Sequence, residues 1–389
     1  MVLLFGLDVV FYIAIVMALI SPSFRVAFSR LLATPLPHHQ RYLASVDGLR
    51  GLAALWVACF HCRQWTKPHY DQVVRYVPFL NDSNAAVPIL VPVFVVLSGF
   101  LIYRSVRAIT GLAELKKYAW RRWLRIYPLY FVTTIVAFAV VPIAGLKPER
   151  VAAEFLMLRA LAYPDFLNPQ TWSLYVEVLF YTVVPVYAIA SRRHPLVSAV
   201  LALVSCSIIG IYGNREITLW KFFAAGICVS CLYDLFGSKK NDLLWGIIFL
   251  CGIGSLSYLH NQHTTLSELA LPFAIICLVF GCLVFRPASA FLRSHPLRIL
   301  GAISYSIFLW HSFIIMIGYG VMFDGTGFLV SPNGPVSPIL ASAWTFLLVY
   351  LPALLACAGL SFLLIERPML ALREGTKYSA NQKTFCKTK

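Results

Sequence analysis

Residues Asp47–His61 read DGLRGLAALWVACFH. Apart from Asp47, Arg50 and His61 the stretch is apolar or glycine, and a chain buries such a run either in a protein core or in lipid. Composition decides between the two. The chain has 389 residues, of which 60% are hydrophobic and 12% charged. A soluble domain has about 45–50% apolar and about 25% charged residues. A core of this size cannot hide that excess, so a soluble enzyme is excluded. Disorder is excluded too, because there is too much surface to bury. The expected fold is an all-α, polytopic integral membrane helix bundle.

A spanning helix needs about 20 apolar residues. Working outward from Asp47–His61, apolar runs mark eleven spans: 3–20, 46–64, 86–104, 126–145, 172–190, 196–212, 217–234, 243–259, 268–285, 298–319 and 338–365. The expectation is about ten core spans plus one extra N-terminal span. Residues 3–20 resemble a signal peptide in length. They lack a basic start, carry Asp8 and show no clear small-residue cleavage site, so they are read as a span.

Charge then orients the chain. Of the 32 Lys and Arg residues, 23 fall on one set of alternate connections and at the adjoining helix ends, and seven on the other set. Arg50 and Lys221 lie inside spans. Basic loops stay in the cytoplasm. The expectation is an inner (plasma) membrane protein with its N-terminus outside and its C-terminus inside. The net charge of +16 has the same origin, so nucleic acid is not expected as a partner. Nine of the ten cysteines lie in or beside apolar runs without metal-ligand spacing, and no metal is expected. Three segments follow: residues 1–40 as an extra span and basic linker, 41–370 as a membrane domain, and 371–389 as a basic cytoplasmic tail.

Ionisable groups at membrane depth are costly and mark functional candidates. Arg50 and His61 are eleven residues apart, about three helical turns, so they share a face about 16 Å apart along the axis. A phosphate-attracting cation and a base would then line one pathway. A snorkelling arginine and a histidine bonded to a neighbouring helix would look the same in sequence. Asp47 is expected to cap the helix start. In the basic loop 105–125, Arg122 and Arg125 are three apart and share a helix face. Paired guanidinium groups suit a phosphate-bearing ligand, although binding to membrane lipid explains such a stretch as well.

Glu177 lies about 7–8 Å below the outer end of its span at Trp172. There a carboxylate can orient an imidazole such as His61, or hydrogen-bond to Tyr or Ser for packing. Trp172 and Tyr175 also fit an aromatic belt. His311 lies near mid-membrane with Tyr305, Ser306 and Trp310, as a second base, a substrate contact or a structural hydrogen bond. The small pair Ser98-Gly99 is read as a close helix contact.

Taken together, LASVDGLRGLAALWVACFH, VPVFVVLSGFLI, RRWLRIYP, QTWSLYVEVLFYTVVP, LGAISYSIFLWHSFI and the closing IERP resemble membrane acyltransferase family 3, the cell-surface glycan O-acetyltransferases. They occur in the family's order over residues 43–368. The resemblance implies about ten spans, acetyl-CoA as acyl donor and a glycan or lipid-linked saccharide as acceptor. The family's Arg and His pair falls on Arg50 and His61, its paired arginines on Arg122 and Arg125, and its acidic residue after Trp172-Ser173 on Glu177. His61, Glu177 and His311 are the catalytic candidates. Arg50, Arg122 and Arg125 are the donor-binding candidates, and Asp47, Trp172, Ser173 and Tyr305 support them. The span in residues 1–40 departs from the family pattern. So does the lack of the extracytoplasmic esterase-like domain that some relatives carry, which implies a separate acyl-transfer partner or chemistry completed within the membrane. Direct transfer and a transient acetyl-histidine remain open. The competing class is a transporter or flippase of a lipid-linked sugar, and the lack of internal repeats speaks against it. A small-molecule acceptor is the other alternative.

Overall fold

The computed structural model describes residues 43–65, 87–140, 148–158, 171–213, 215–259, 262, 264–319, 322–323, 329–330 and 349–374. The span expected at 3–20 and the tail from residue 375 lie outside them. The described chain is helical except for two two-residue strands, β1 (Met322–Phe323) and β2 (Leu329–Val330), paired antiparallel with Met322 opposite Val330.

The helices are α1 (Ala44–Trp65), α2 (Val87–Val106), α3 (Leu112–Val140), α4 (Pro148–Phe155), α5 (Thr171–Ala190), α6 (Pro195–Tyr212) and α7 (Arg215–Thr218). They continue with α8 (Trp220–Phe236), α9 (Asp242–Leu259), α10 (Thr265–Val284), α11 (Arg286–Leu292), α12 (His295–Ala302) and α13 (Ser304–Tyr319). After the strands come α14 (Leu351–Ser361), a π-helical turn (Phe362–Glu366) and α15 (Arg367–Glu374). Six described helical segments are long and apolar enough to cross a membrane, and seven if α12 and α13 count as one broken span. The chain is a multi-pass membrane protein.

α8 is the axis of the bundle. Two thirds (67%) of its apolar stretch is buried, against 17% for α9 and 22% for α6, whose outward leucines and isoleucines are exposed. A hydrophobic face without a protein partner is what lipid requires. α8 meets α2 at glycines: a Cβ on Gly99 would come within 2.4 Å of the Phe223 carbonyl, and one on Gly226 within 2.2 Å of that of Val96. The close contact expected at Ser98-Gly99 is therefore present at Gly99. Phe180 of α5 stacks on Phe223 with ring centroids 4.1 Å apart and fixes α5 against the axis.

α1 is held by backbone contact with α12. A Cβ on Gly301 would fall 2.1 Å from the Asp47 carbonyl, and one on Gly51 2.5 Å from the Gly301 amide. This packing corrects two expectations. α1 begins at Ala44, so Asp47 is not the N-cap but an acid in the first turn, where it complements the helix dipole. The expected continuous span 298–319 is broken: α12 and α13 meet at a bend of 70°, where the Ser304 hydroxyl donates to the Gly301 carbonyl at 2.8 Å. The basic stretch expected as a loop at 105–125 is also helical from Leu112, so Arg122 and Arg125 stand on one continuous helix, α3.

Candidate active site

α1, α2, α3, α5 and α13 enclose a cavity with room for about 80 Å³ of water-sized contents, lined by Arg50, Ser98, Arg125, Ser173, Glu177 and Tyr305 among others. Its charges are arranged in compensated pairs. The Arg125 guanidinium donates to Glu366 at 2.9 Å, and the Ser306 hydroxyl donates to the other oxygen of the same carboxylate at 2.5 Å. Glu366 is 3% exposed and Arg125 partly exposed, so the carboxylate of the pair is held out of water. Breaking such a pair leaves a buried charge uncompensated. The π-helical turn that ends at Glu366 supplies the position. Such widened turns recur at functional sites because they re-phase the residues they carry. Arg125 also lies 5.6 Å from the centre of the Tyr305 ring, whose hydroxyl donates to the Ile126 carbonyl at 2.8 Å.

Glu177 faces the same space from α5. It accepts from the Ser98 hydroxyl at 2.7 Å and from the Tyr181 hydroxyl one turn on. Arg50 lies within electrostatic reach of Glu177, Arg125 and Glu366. Arg50, Arg125 and Glu177 thus line one cavity, and Glu366 is tied to it through Arg125. Arg122 diverges from Arg125. It donates to the Ser105 hydroxyl at 3.1 Å and sits 5.5 Å from the ring centres of both Tyr118 and Tyr181. Tyr181 therefore links Arg122 to Glu177.

The two histidines stand just beyond the cavity lining on α1 and α13. Val57 and Phe308 line the cavity, and His61 and His311 follow them one turn later. Their rings stack with centroids 5.2 Å apart and 27° between planes. His311 is 1% exposed, and its Nδ1 is 2.7 Å from the Phe308 carbonyl. A carbonyl only accepts, so Nδ1 carries the proton and Nε2 keeps its lone pair. That Nε2 is buried without a hydrogen-bond partner among the described residues. The His311 carbonyl accepts from Tyr350 at 3.2 Å, which pins the helix from α14.

The structure thus brings Arg50, Arg125, Ser173, Glu177 and Tyr305 into one cavity and joins His61 to His311 beside it. Arg122 attaches through Tyr181. Trp172 points to a different cavity, on the far side of Val91. The sequence allows Glu177 either to orient an imidazole such as His61 or to hydrogen-bond to Tyr or Ser. The groups described on Glu177 are Ser98 and Tyr181, and the ring described on His61 is His311. Three contributors were missed. Ser98 was read as packing only, Tyr181 was given no role, and Glu366 stood only within a quoted motif. Glu366 had a signal: a carboxylate at the end of an apolar run, beside Arg367.

A helical membrane bundle with a charged cavity and a stacked histidine pair is compatible with several classes, and relatives decide among them. The chain belongs to acyltransferase family 3, whose acyltransferase domain matches residues 43–366. It is similar to the exopolysaccharide production protein ExoZ of Rhizobium meliloti, 28% identical over 304 residues, 72% of this chain and 88% of that protein. It is also similar to the peptidoglycan O-acetyltransferase OatA of Listeria monocytogenes, 24% identical over 386 residues, 85% of this chain and 56% of that protein. Acyltransferase MdmB of Streptomyces mycarofaciens is 23% identical over 369 residues, 85% and 92% of the two chains. No solved structure matches the chain. The protein is a membrane acyltransferase.

Proposed function

We propose that the protein moves an acetyl group from cytoplasmic acetyl-CoA to a hydroxyl of an extracytoplasmic or lipid-linked glycan. The observation that carries this reading is a cavity lined by Arg50, Arg125 and Glu177 with a stacked histidine pair one helical turn beyond its lining. Relatives named for exopolysaccharide production and for peptidoglycan O-acetylation support the acceptor class. The topology in this reading has eleven spans, with the N-terminus outside the inner membrane and the C-terminus in the cytoplasm. It rests on the 23-to-7 division of basic residues.

Acetyl-CoA fits in part. In this reading the cavity, with room for about 80 Å³, takes the acetyl thioester end while the nucleotide stays outside it. Arg50, Arg122 and Arg125 are the groups that would hold its phosphates, since guanidinium binds phosphate bidentately and stays charged. His61, less buried than His311, takes the proton of the acceptor hydroxyl. The hydroxyl oxygen forms a bond to the thioester carbonyl carbon, the carbon–sulfur bond breaks, and the histidine returns the proton to the departing thiolate. His311 stacks on His61 as a neutral ring with a fixed tautomer. Two imidazolium rings at that separation would repel, so the pair carries at most one positive charge.

The test uses the full chain in lipid nanodiscs with labelled acetyl-CoA and an oligosaccharide. Label recovered as an alkali-labile ester on the sugar supports the reading. Movement of saccharide across a sealed vesicle without ester formation points to transport instead.

A further inference from the structure

Lys221 is the second cation that the sequence places inside a span, and the acyl-transfer site does not use it. It is 1% exposed on α8 and donates to the Glu268 carboxylate at 2.6 Å and to the Glu268 carbonyl at 3.1 Å. Glu268 itself is 51% exposed. A buried ammonium thus fixes an exposed carboxylate in place, and the pair is anchored because a buried charge cannot be left unpaired.

That carboxylate forms part of the wall of a second cavity of about 520 Å³, with Trp172, Thr218, Thr264 and Thr265. The volume falls within the roughly 300–1,000 Å³ of small-molecule sites. The walls are the starts of α2, α5 and α10 and the end of α6. These ends all face outward in the proposed topology. An indole face, threonine hydroxyls and a fixed carboxylate match a ring with one apolar face and a rim of hydroxyl groups. The cavity also adjoins the acyl-transfer site. Val91 lines both spaces, and on α5 Trp172 lines the outer one while its neighbour Ser173 lines the inner one.

We propose that this outer cavity binds a pyranose ring of the acceptor. Trp172 supplies the stacking surface, Glu268 accepts hydrogen bonds from ring hydroxyls, and Lys221 positions Glu268. The inference rests on the proposed glycan acceptor and assigns it a site.

The experiment uses the full chain in nanodiscs, with cellotetraose and chitotetraose, each free and linked to a lipid. A Thr265→Cys protein is labelled with a thiol reagent, and labelling at position 265 is read by peptide mass spectrometry. Without acetyl-CoA, a bound tetrasaccharide slows labelling at least threefold. Protection by the free sugar assigns the site to polymer chains, and protection by the lipid-linked form alone assigns it to a lipid-carried intermediate. In acetyl transfer, Trp172→Ala raises the acceptor KM about tenfold or more, as expected for loss of an aromatic surface, while acetyl-CoA binding is unchanged. Trp172→Phe stays within about threefold because a ring remains. Glu268→Gln strands Lys221, so Lys221→Met/Glu268→Gln is the folded comparison, and it too raises the acceptor KM. Protection without acetyl transfer keeps the site and removes the acyl-transfer reading. Transfer with no protection and an unmoved KM in Trp172→Ala removes the site alone. No protection by any of the four ligands overturns the proposal.

Discussion

The charged cavity and the histidine pair beside it are built on opposite principles. The charged end concentrates charge and cancels it: Arg125 on Glu366, Glu177 between Ser98 and Tyr181, and Arg50 within reach of both acids. The histidine end holds two rings in contact, one of them with a buried nitrogen that has no hydrogen-bond partner among the described residues. Fixed, paired charges hold an anion and orient it without themselves changing protonation. A neutral imidazole does the reverse: its function is to gain and lose a proton. In the proposed mechanism the charged end binds donor and the histidine end moves protons. Substitutions at the two ends should therefore fail in different ways.

The largest expected effect is at the histidine end. His61→Ala lowers acetyl transfer by about 10²–10⁴-fold, the usual contribution of general-base catalysis, with acetyl-CoA binding preserved. Equilibrium binding of labelled acetyl-CoA beside the transfer rate checks both parts. The next effect lies at the charged end and is one of folding. Glu366→Ala leaves the partly buried Arg125 without its carboxylate, which costs less than the roughly 3–5 kcal/mol of a fully buried pair, while Arg125→Met/Glu366→Leu recovers most of it. Thermal unfolding in detergent reads the difference. The double variant should remain folded and bind acetyl-CoA poorly.

A smaller loss is expected when Arg122 and Arg125 are both changed to Lys. The protein keeps its positive charge but loses the planar fork, and acetyl-CoA affinity should fall about tenfold. Full affinity in the Lys variant would make the pair a generic positive charge. Glu177→Gln is the mildest change, since an amide still accepts from Ser98 and Tyr181. A severalfold fall in transfer rate is expected, well short of that in His61→Ala.

Much of this arrangement was legible in the sequence wherever one helix carried it. Arg50 and His61 share a face because three turns of helix separate them, and α1 is continuous through both. Arg122 and Arg125 stand on one helix as their spacing implied. Contacts between helices were not legible. His311 lies 250 residues from its stacking partner, and Glu366 lies 241 from Arg125. No local pattern encodes such a pairing. The break between α12 and α13 was hidden for the same reason. It lies beside the close approach of Gly301 to the backbone of Asp47, a neighbour in space alone. Lys221 is visible as a charge in a span, but nothing local in the sequence marks Glu268 as its partner.

The central claim is that the stacked histidines move the proton of the transfer step. The most direct measurement is the pH dependence of acetyl transfer at saturating acetyl-CoA, for the parent protein, His61→Ala and His311→Ala. In the parent the rate is expected to rise with pH as neutral imidazole becomes available. The inflection should disappear from the residual rate of His61→Ala, and His311→Ala should retain a shifted inflection. An unchanged inflection in His61→Ala, or full activity in that protein with turnover abolished in His311→Ala, would contradict the assignment of the base to His61.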